Sequence, residues 1–85
     1  MKLLHHPFCP HSRFARLALA EYRAAFELAD EDVRKRRPEF LELNPAGTTP
    51  VLIDGKFPVS GAGVIAEYLD ETHGANLGEH RLLPA

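Results

Sequence analysis

The residues of this chain best suited to chemistry lie together at Pro7-Phe8-Cys9-Pro10-His11-Ser12-Arg13. Cys9 is the single cysteine, placed where a short apolar run gives way to a helical pattern. A thiol at such a junction faces unpaired backbone N–H groups and the positive end of the helix dipole, and both favour the thiolate. A thiol so placed becomes a nucleophile near neutral pH. The other reading of a lone cysteine is a small buried filler of the core. His11 and Ser12 are candidates for tuning the acidity of Cys9, although His11 also reads as a water-facing residue at the helix entry. With no second cysteine, internal disulfide cycling is excluded. His5, His6, Cys9 and His11 together raise the question of zinc or copper, which suit sulfur and imidazole. His5 and His6 are neighbours on a predicted strand and project to opposite faces, so no metal site is expected.

The elements that must position this stretch follow from the pattern around it. Lys2–His6 reads as a first strand stopped by Pro7. From Arg13 to Tyr22 the spacing predicts a helix, with Phe14, Leu17 and Ala18 at helical intervals and Leu19 and Tyr22 beside them. Ser12 is the candidate N-cap, and Pro10 suits the entry turn. Phe26-Glu27-Leu28 reads as a second strand, completing a right-handed parallel crossover. The charged run Asp30 to Arg37 reads as a solvated loop or frayed turn. Pro38–Leu43 is a short helix with proline in its first turn, ended by Asn44-Pro45-Ala46-Gly47. Thr48–Ile53 is a third strand entered through Pro50, Asp54-Gly55 a hairpin signal, and Lys56–Val59 the returning strand. Pro58 lacks an N–H and belongs at a sheet edge. Ser60 is the candidate N-cap of a last helix with Val64, Ile65, Tyr68 and Leu69 on one face and Gly74 as its stop. Gly61 and Gly63 loosen that helix start or permit close backbone approach.

Composition narrows the function classes. An 85-residue chain with 45% hydrophobic and 26% charged residues is one small ordinary globular domain. A formal net charge of -2 gives no electrostatic case for nucleic acid or an anionic membrane. No apolar run approaches the roughly 20 residues of a membrane span, and the N-terminus lacks a signal peptide's apolar core. The single cysteine suits a reducing cytoplasm.

The order strand-helix-strand, short helix, hairpin, helix is that of a thioredoxin-like domain: α/β, βαβ-α-ββα, with a four-stranded mixed sheet flanked by helices. The chain resembles the N-terminal domain of cytosolic glutathione S-transferases over nearly its full length. Four segments carry the resemblance: Pro7-Phe8-Cys9-Pro10 with Arg16-Leu17-Ala18-Leu19; Arg37-Pro38-Glu39-Phe40 with Asn44-Pro45-Ala46-Gly47; Thr49-Pro50-Val51-Leu52; and Ile65-Ala66-Glu67-Tyr68-Leu69. Cys9 falls where such transferases carry a catalytic serine or, in cysteine-bearing classes, a catalytic cysteine. The resemblance implies that Cys9 either polarises the glutathione thiol or forms a mixed disulfide with it. Cys-Pro-His-Ser is also similar to the strongly oxidising Cys-Pro-His-Cys motif with its last thiol replaced.

By the same resemblance Pro50 is the family's cis-proline, and Thr49 pairs main chain to main chain with the cysteinyl part of glutathione, with Phe8 and Val51 beside it. Arg37 lies where omega-like members hold the glycyl carboxylate. Ser60-Gly61-Ala62-Gly63 covers the position of a Glu-Ser pair that grips the γ-glutamyl group. Aligned without gaps from Ile65, the pair falls on Gly61-Ala62, so both side chains are missing. Backbone N–H groups at the helix start, assisted by Ser60, remain available to a carboxylate.

The implied domain spans 1–76, with 77–85 a linker toward an all-helical domain that supplies most of the electrophile pocket. The implied partners are glutathione and a small electrophile or disulfide, with no metal, nucleic acid or membrane, and a homodimeric full-length protein. The excised domain alone is expected to have little activity and to expose an apolar patch on the last helix or near the tail. The alternative function is a non-catalytic, transferase-like binding or assembly module, which the lost Glu-Ser pair would suit.

Overall fold

The computed structural model describes residues 1–74, so the expected linker at 77–85 lies outside the described residues. The element order is β1 (Lys2–His5), α1 (Pro10–Glu21), β2 (Glu27–Asp30), a single 3-10 turn at Val33–Lys35, α2 (Pro38–Leu43), β3 (Val51–Asp54), β4 (Phe57–Ser60) and α3 (Ala62–His73). The sheet runs β2-β1-β3-β4. β1 pairs with β2 in parallel, Leu3 against Leu28, and with β3 antiparallel, Leu3 against Leu52. β4 is an edge, where Pro58 meets Ile53 across the ladder. This is the thioredoxin-like mixed sheet that the element order implies.

Alternation along the central strands divides the core in two. Leu3 and Leu52 project to one face, where they join Ala15, Ala18, Leu19 and Tyr22 of α1 and Ile65 and Leu69 of α3. Leu4 and Val51 project to the other, against Phe40 of α2. Successive strand residues facing opposite ways is what lets one short strand feed both layers.

Several boundaries and faces differ from the sequence reading. α1 begins at Pro10 and its N-cap is Cys9, not Ser12. Pro10 carries no N–H to lose and its fixed φ suits the first helical position, so the helix starts there. Ser12 is instead fully buried in the first turn. The buried stripe of α1 is Ala15, Ala18, Leu19 and Tyr22, at the i, i+3, i+4, i+7 spacing of one helix face, whereas Phe14 and Leu17 are half exposed. β2 lies at Glu27–Asp30 rather than 26–28, because its ladder begins where the Glu27 N–H donates to the Met1 carbonyl. β3 begins at Val51, past Pro50, and the two residues between the hairpin strands are Gly55 and Lys56, with Gly55 at φ +63°. Ser60 ends β4 opposite Val51, so Gly61 rather than Ser60 caps α3. On α3 the buried residues are Ile65, Ala66, Leu69 and Asp70, while Val64 is exposed and Tyr68 half-buried. Gly74 does close this helix.

Candidate active site

The loop between β1 and α1 delivers Cys9 to the helix entry with an extended backbone, φ -82° and ψ 122°. Its N–H donates to the His6 carbonyl at 3.1 Å, and its carbonyl accepts the Arg13 N–H at 3.0 Å as the first bond of the helix. The thiol is free and half-buried. Burial pushes it up, but the Ser12 N–H and hydroxyl, the His11 N–H and the Thr49 hydroxyl outweigh that effect. Together they hold the Cys9 thiol below its usual value. Ser12 thus has two tasks, because its oxygen also accepts the His6 N–H at 3.2 Å. His11 contributes through its backbone and stands exposed at the helix entry.

A cavity of about 530 Å³ opens beside the thiol. His6, Cys9 and His11 form one wall, Thr48 and Thr49 a second, and Asp32-Val33-Arg34 the third. The Thr49–Pro50 peptide bond is cis. Pro50 and Val51 are fully buried behind the cavity wall. The Pro50 carbonyl accepts the Gly61 N–H at 3.1 Å, which ties the start of α3 to the same segment. Ser60 and Ala62 are half-buried and Gly61 exposed, and none of the three lines the cavity. A Cβ at Gly61 would meet open space, but its φ of +94° disfavours any side chain.

The third wall was not anticipated from the sequence. Asp32 caps the 3-10 turn by accepting the Arg34 N–H at 3.0 Å, and it also accepts from the Arg34 guanidinium at 3.0 and 3.2 Å. The Arg34 side chain and backbone hold the Asp32 carboxyl below the usual carboxylate range, which keeps that wall charged. The only available signal was an aspartate two residues before an arginine inside a run of charges, a pattern shared by ordinary solvated loops.

Arg37 is placed elsewhere. Its guanidinium donates to both carboxylate oxygens of Glu31, one at 2.9 Å, with Glu39 further off at 3.6 Å. Glu31 is buried, and its N–H donates to the His5 carbonyl at the end of the parallel ladder. Arg37 does not line the cavity. Phe8 projects into solvent, 90% exposed, with its ring centroid 6.0 Å from that of His6. His5 does not line the cavity either: its Nδ1 accepts from Arg16 at 2.9 Å and its Nε2 meets Asp30 at 2.9 Å. Among the described residues no three His, Cys, Asp or Glu side chains group as metal ligands.

A free thiol at a helix N-terminus, beside a cis-proline segment, thus sits on the four-stranded mixed sheet of a thioredoxin-like scaffold. Residues 3–77 match the family described as glutathione S-transferase, N-terminal domain, and the chain belongs to that family. It is 35% identical over 63 residues to a probable glutathione transferase of Aplysia californica, covering 74% of this chain and 68% of that protein. It is 38% identical over 76 residues to FtsZ-localized protein A of Caulobacter vibrioides, covering 84% of this chain and 33% of that one. Among solved structures, a glutathione S-transferase from Sinorhizobium meliloti superposes with a TM-score of 0.92 at 48% identity, covering 99% of this chain. The present chain spans 37% of that structure's length.

Proposed function

We propose that this domain binds glutathione beside Cys9 and that Cys9 exchanges thiols through a mixed disulfide. The observation that carries the reading is the free Cys9 thiol at the N-terminus of α1, lining the cavity together with Thr49, where Ser12, His11 and Thr49 hold it below its usual value. A Cys9 thiolate attacks the sulfur of a glutathionylated disulfide, forms Cys9–S–S–glutathione and releases the other thiolate. Glutathione thiolate then attacks the Cys9 mixed disulfide, giving glutathione disulfide and returning the Cys9 thiolate. No second protein thiol is needed for that cycle. A thiolate in the same place can also accept a hydrogen bond from the glutathione thiol, and that is the route to conjugation with a small electrophile.

Thr49 would supply main-chain pairing to the cysteinyl segment. Gly61 and Ala62 open α3 without acidic or hydroxyl side chains, so carboxylate binding there falls to backbone N–H groups with Ser60 nearby. With Arg37 engaged by buried Glu31, Arg34 is the cation on the cavity wall itself. The chemistry requires reduced Cys9, which a cytoplasmic location supplies. For the full-length protein we infer a homodimer with a helical second domain that completes the electrophile pocket.

A second reading is a transferase-like binding or assembly module. The missing Glu-Ser pair favours it, and one relative carries the name FtsZ-localized protein A. The discriminating experiment is a titration of isotope-labelled chain with reduced glutathione, followed at backbone amides. Shifts confined to 8–12, 49–51 and 60–64, with thiol transfer lost in Cys9→Ser, are expected. No shifts at millimolar glutathione would favour the binding module.

A further inference from the structure

Asn44 is buried, yet neither the core nor the cavity wall claims its side chain. It ends α2 with an extended backbone, its N–H donating to the Phe40 carbonyl at 2.9 Å. Its Nδ2 donates to the Thr48 carbonyl at 2.8 Å and to the Thr48 hydroxyl at 3.2 Å. Its Oδ1 accepts the Ala46 N–H at 3.3 Å, and its main-chain carbonyl accepts the Gly47 N–H at 2.9 Å. One side chain thus spans the whole turn between α2 and the cavity wall.

We propose that Asn44 is a positioning residue for Cys9: by fixing the Thr48–Thr49 peptide it sets the Thr49 hydroxyl against the thiolate. This extends the reading of Cys9 as the reacting thiol and rests on it. The Thr48 carbonyl belongs to the same planar peptide unit as the Thr49 N–H. A bond at 2.8 Å to that oxygen therefore restricts rotation of the plane from which Thr49 departs. Thr49 lines the cavity together with Cys9, its hydroxyl is among the groups that hold the thiol low, and its backbone leads into Pro50. The turn has few other restraints of its own, because Pro45 has no N–H and Gly47 sits at φ +71°. Deleting the amide leaves the Thr48 carbonyl and the Ala46 N–H without these partners and frees the plane to turn.

The single cysteine makes the test clean. Alkylation of Cys9 by iodoacetamide is followed across pH in the 85-residue chain for wild type, Asn44→Ser, Thr49→Val and the double variant. All three variants add no charge. The titratable and charged groups that line the cavity with Cys9 are His6, His11, Asp32 and Arg34, and they are the same in every chain compared. Each single variant is expected to raise the midpoint by about half a pH unit, roughly threefold in rate at a fixed pH below it. The double variant is expected to shift no further than one single variant, since both remove one hydroxyl contact. An unchanged midpoint in Asn44→Ser, or shifts that add, would overturn the proposal. Should Asn44→Ser fail to fold by circular dichroism, Asn44→Ala is read the same way, and failure of both assigns Asn44 a purely architectural role and also overturns it. Because alkylation needs no glutathione, the coupling can survive in a chain that shows no glutathione binding, so the two readings fail separately.

Discussion

At the scale of single residues, Ser12 is the side chain on which Cys9 most depends. It is fully buried and accepts the His6 N–H, and its N–H and hydroxyl do most to hold the thiol low. Ser12→Ala removes the hydroxyl's share of that effect and strands the His6 N–H, which costs about 1–2 kcal/mol. The pH dependence has a definite sign. The folded Cys9 thiol lies below its unfolded value, so its stabilisation is complete above the ordinary thiol value of about 8.5 and is lost as pH falls through the folded value. Urea unfolding midpoints of the wild type should therefore climb with pH across that interval. Both Ser12→Ala and Cys9→Ala should flatten the climb, and a slope that persists in Cys9→Ala would assign it to a different group. The place of Cys9 at a helix entry was legible in the sequence, because the lone thiol directly precedes a helical pattern. Arg37 and Arg34 were not distinguishable, since four adjacent basic residues look alike until Glu31 is buried and takes one of them. That burial depends on where β2 stops against β1, which is a tertiary fact.

At the scale of elements, periodicity placed both long helices but not the faces they bury. Phe14 and Leu17 are larger than Ala15 and Ala18, and size drew the expected stripe toward them. The close approach of α1 to α3 selects the small residues instead, as the full burial of Ala15 shows. The same packing brings the Tyr22 hydroxyl to the Asp70 carboxylate, where it donates at 3.1 Å in a buried setting between the two helices. Neither residue stands out as a pair in sequence, being 48 positions apart. Tyr22→Phe keeps the ring and removes the donor, so it should cost ~1–3 kcal/mol by urea denaturation with little change in slope. A loss below the measurement error would mean that the other contacts of Asp70 carry the load. Element starts moved by one to three residues for local reasons: Pro10 suits the first position of α1, Pro50 has no N–H to give to the β3 ladder, and Gly61 takes a positive φ as it caps α3.

At the scale of the molecule, strand order follows from the βαβ start and the hairpin end, leaving the β1–β3 pairing as the join between two halves. One half, β1-α1-β2, carries Cys9; the other, from α2 to α3, carries Asn44, Thr49 and Pro50. The halves meet along that ladder and through α1 against α3. The acidity of Cys9 is thus a coincidence signal, complete only when both halves are docked in register. Cut at the exposed Lys35-Arg36, fragments 1–35 and 36–85 should behave as a split reporter. Cys9 in the first fragment alone should alkylate with an ordinary thiol profile and move to lower pH on adding the second. A profile indifferent to the second fragment would mean that the helix entry alone sets the thiol. In that case the seam between the halves could be redesigned freely without disturbing the nucleophile.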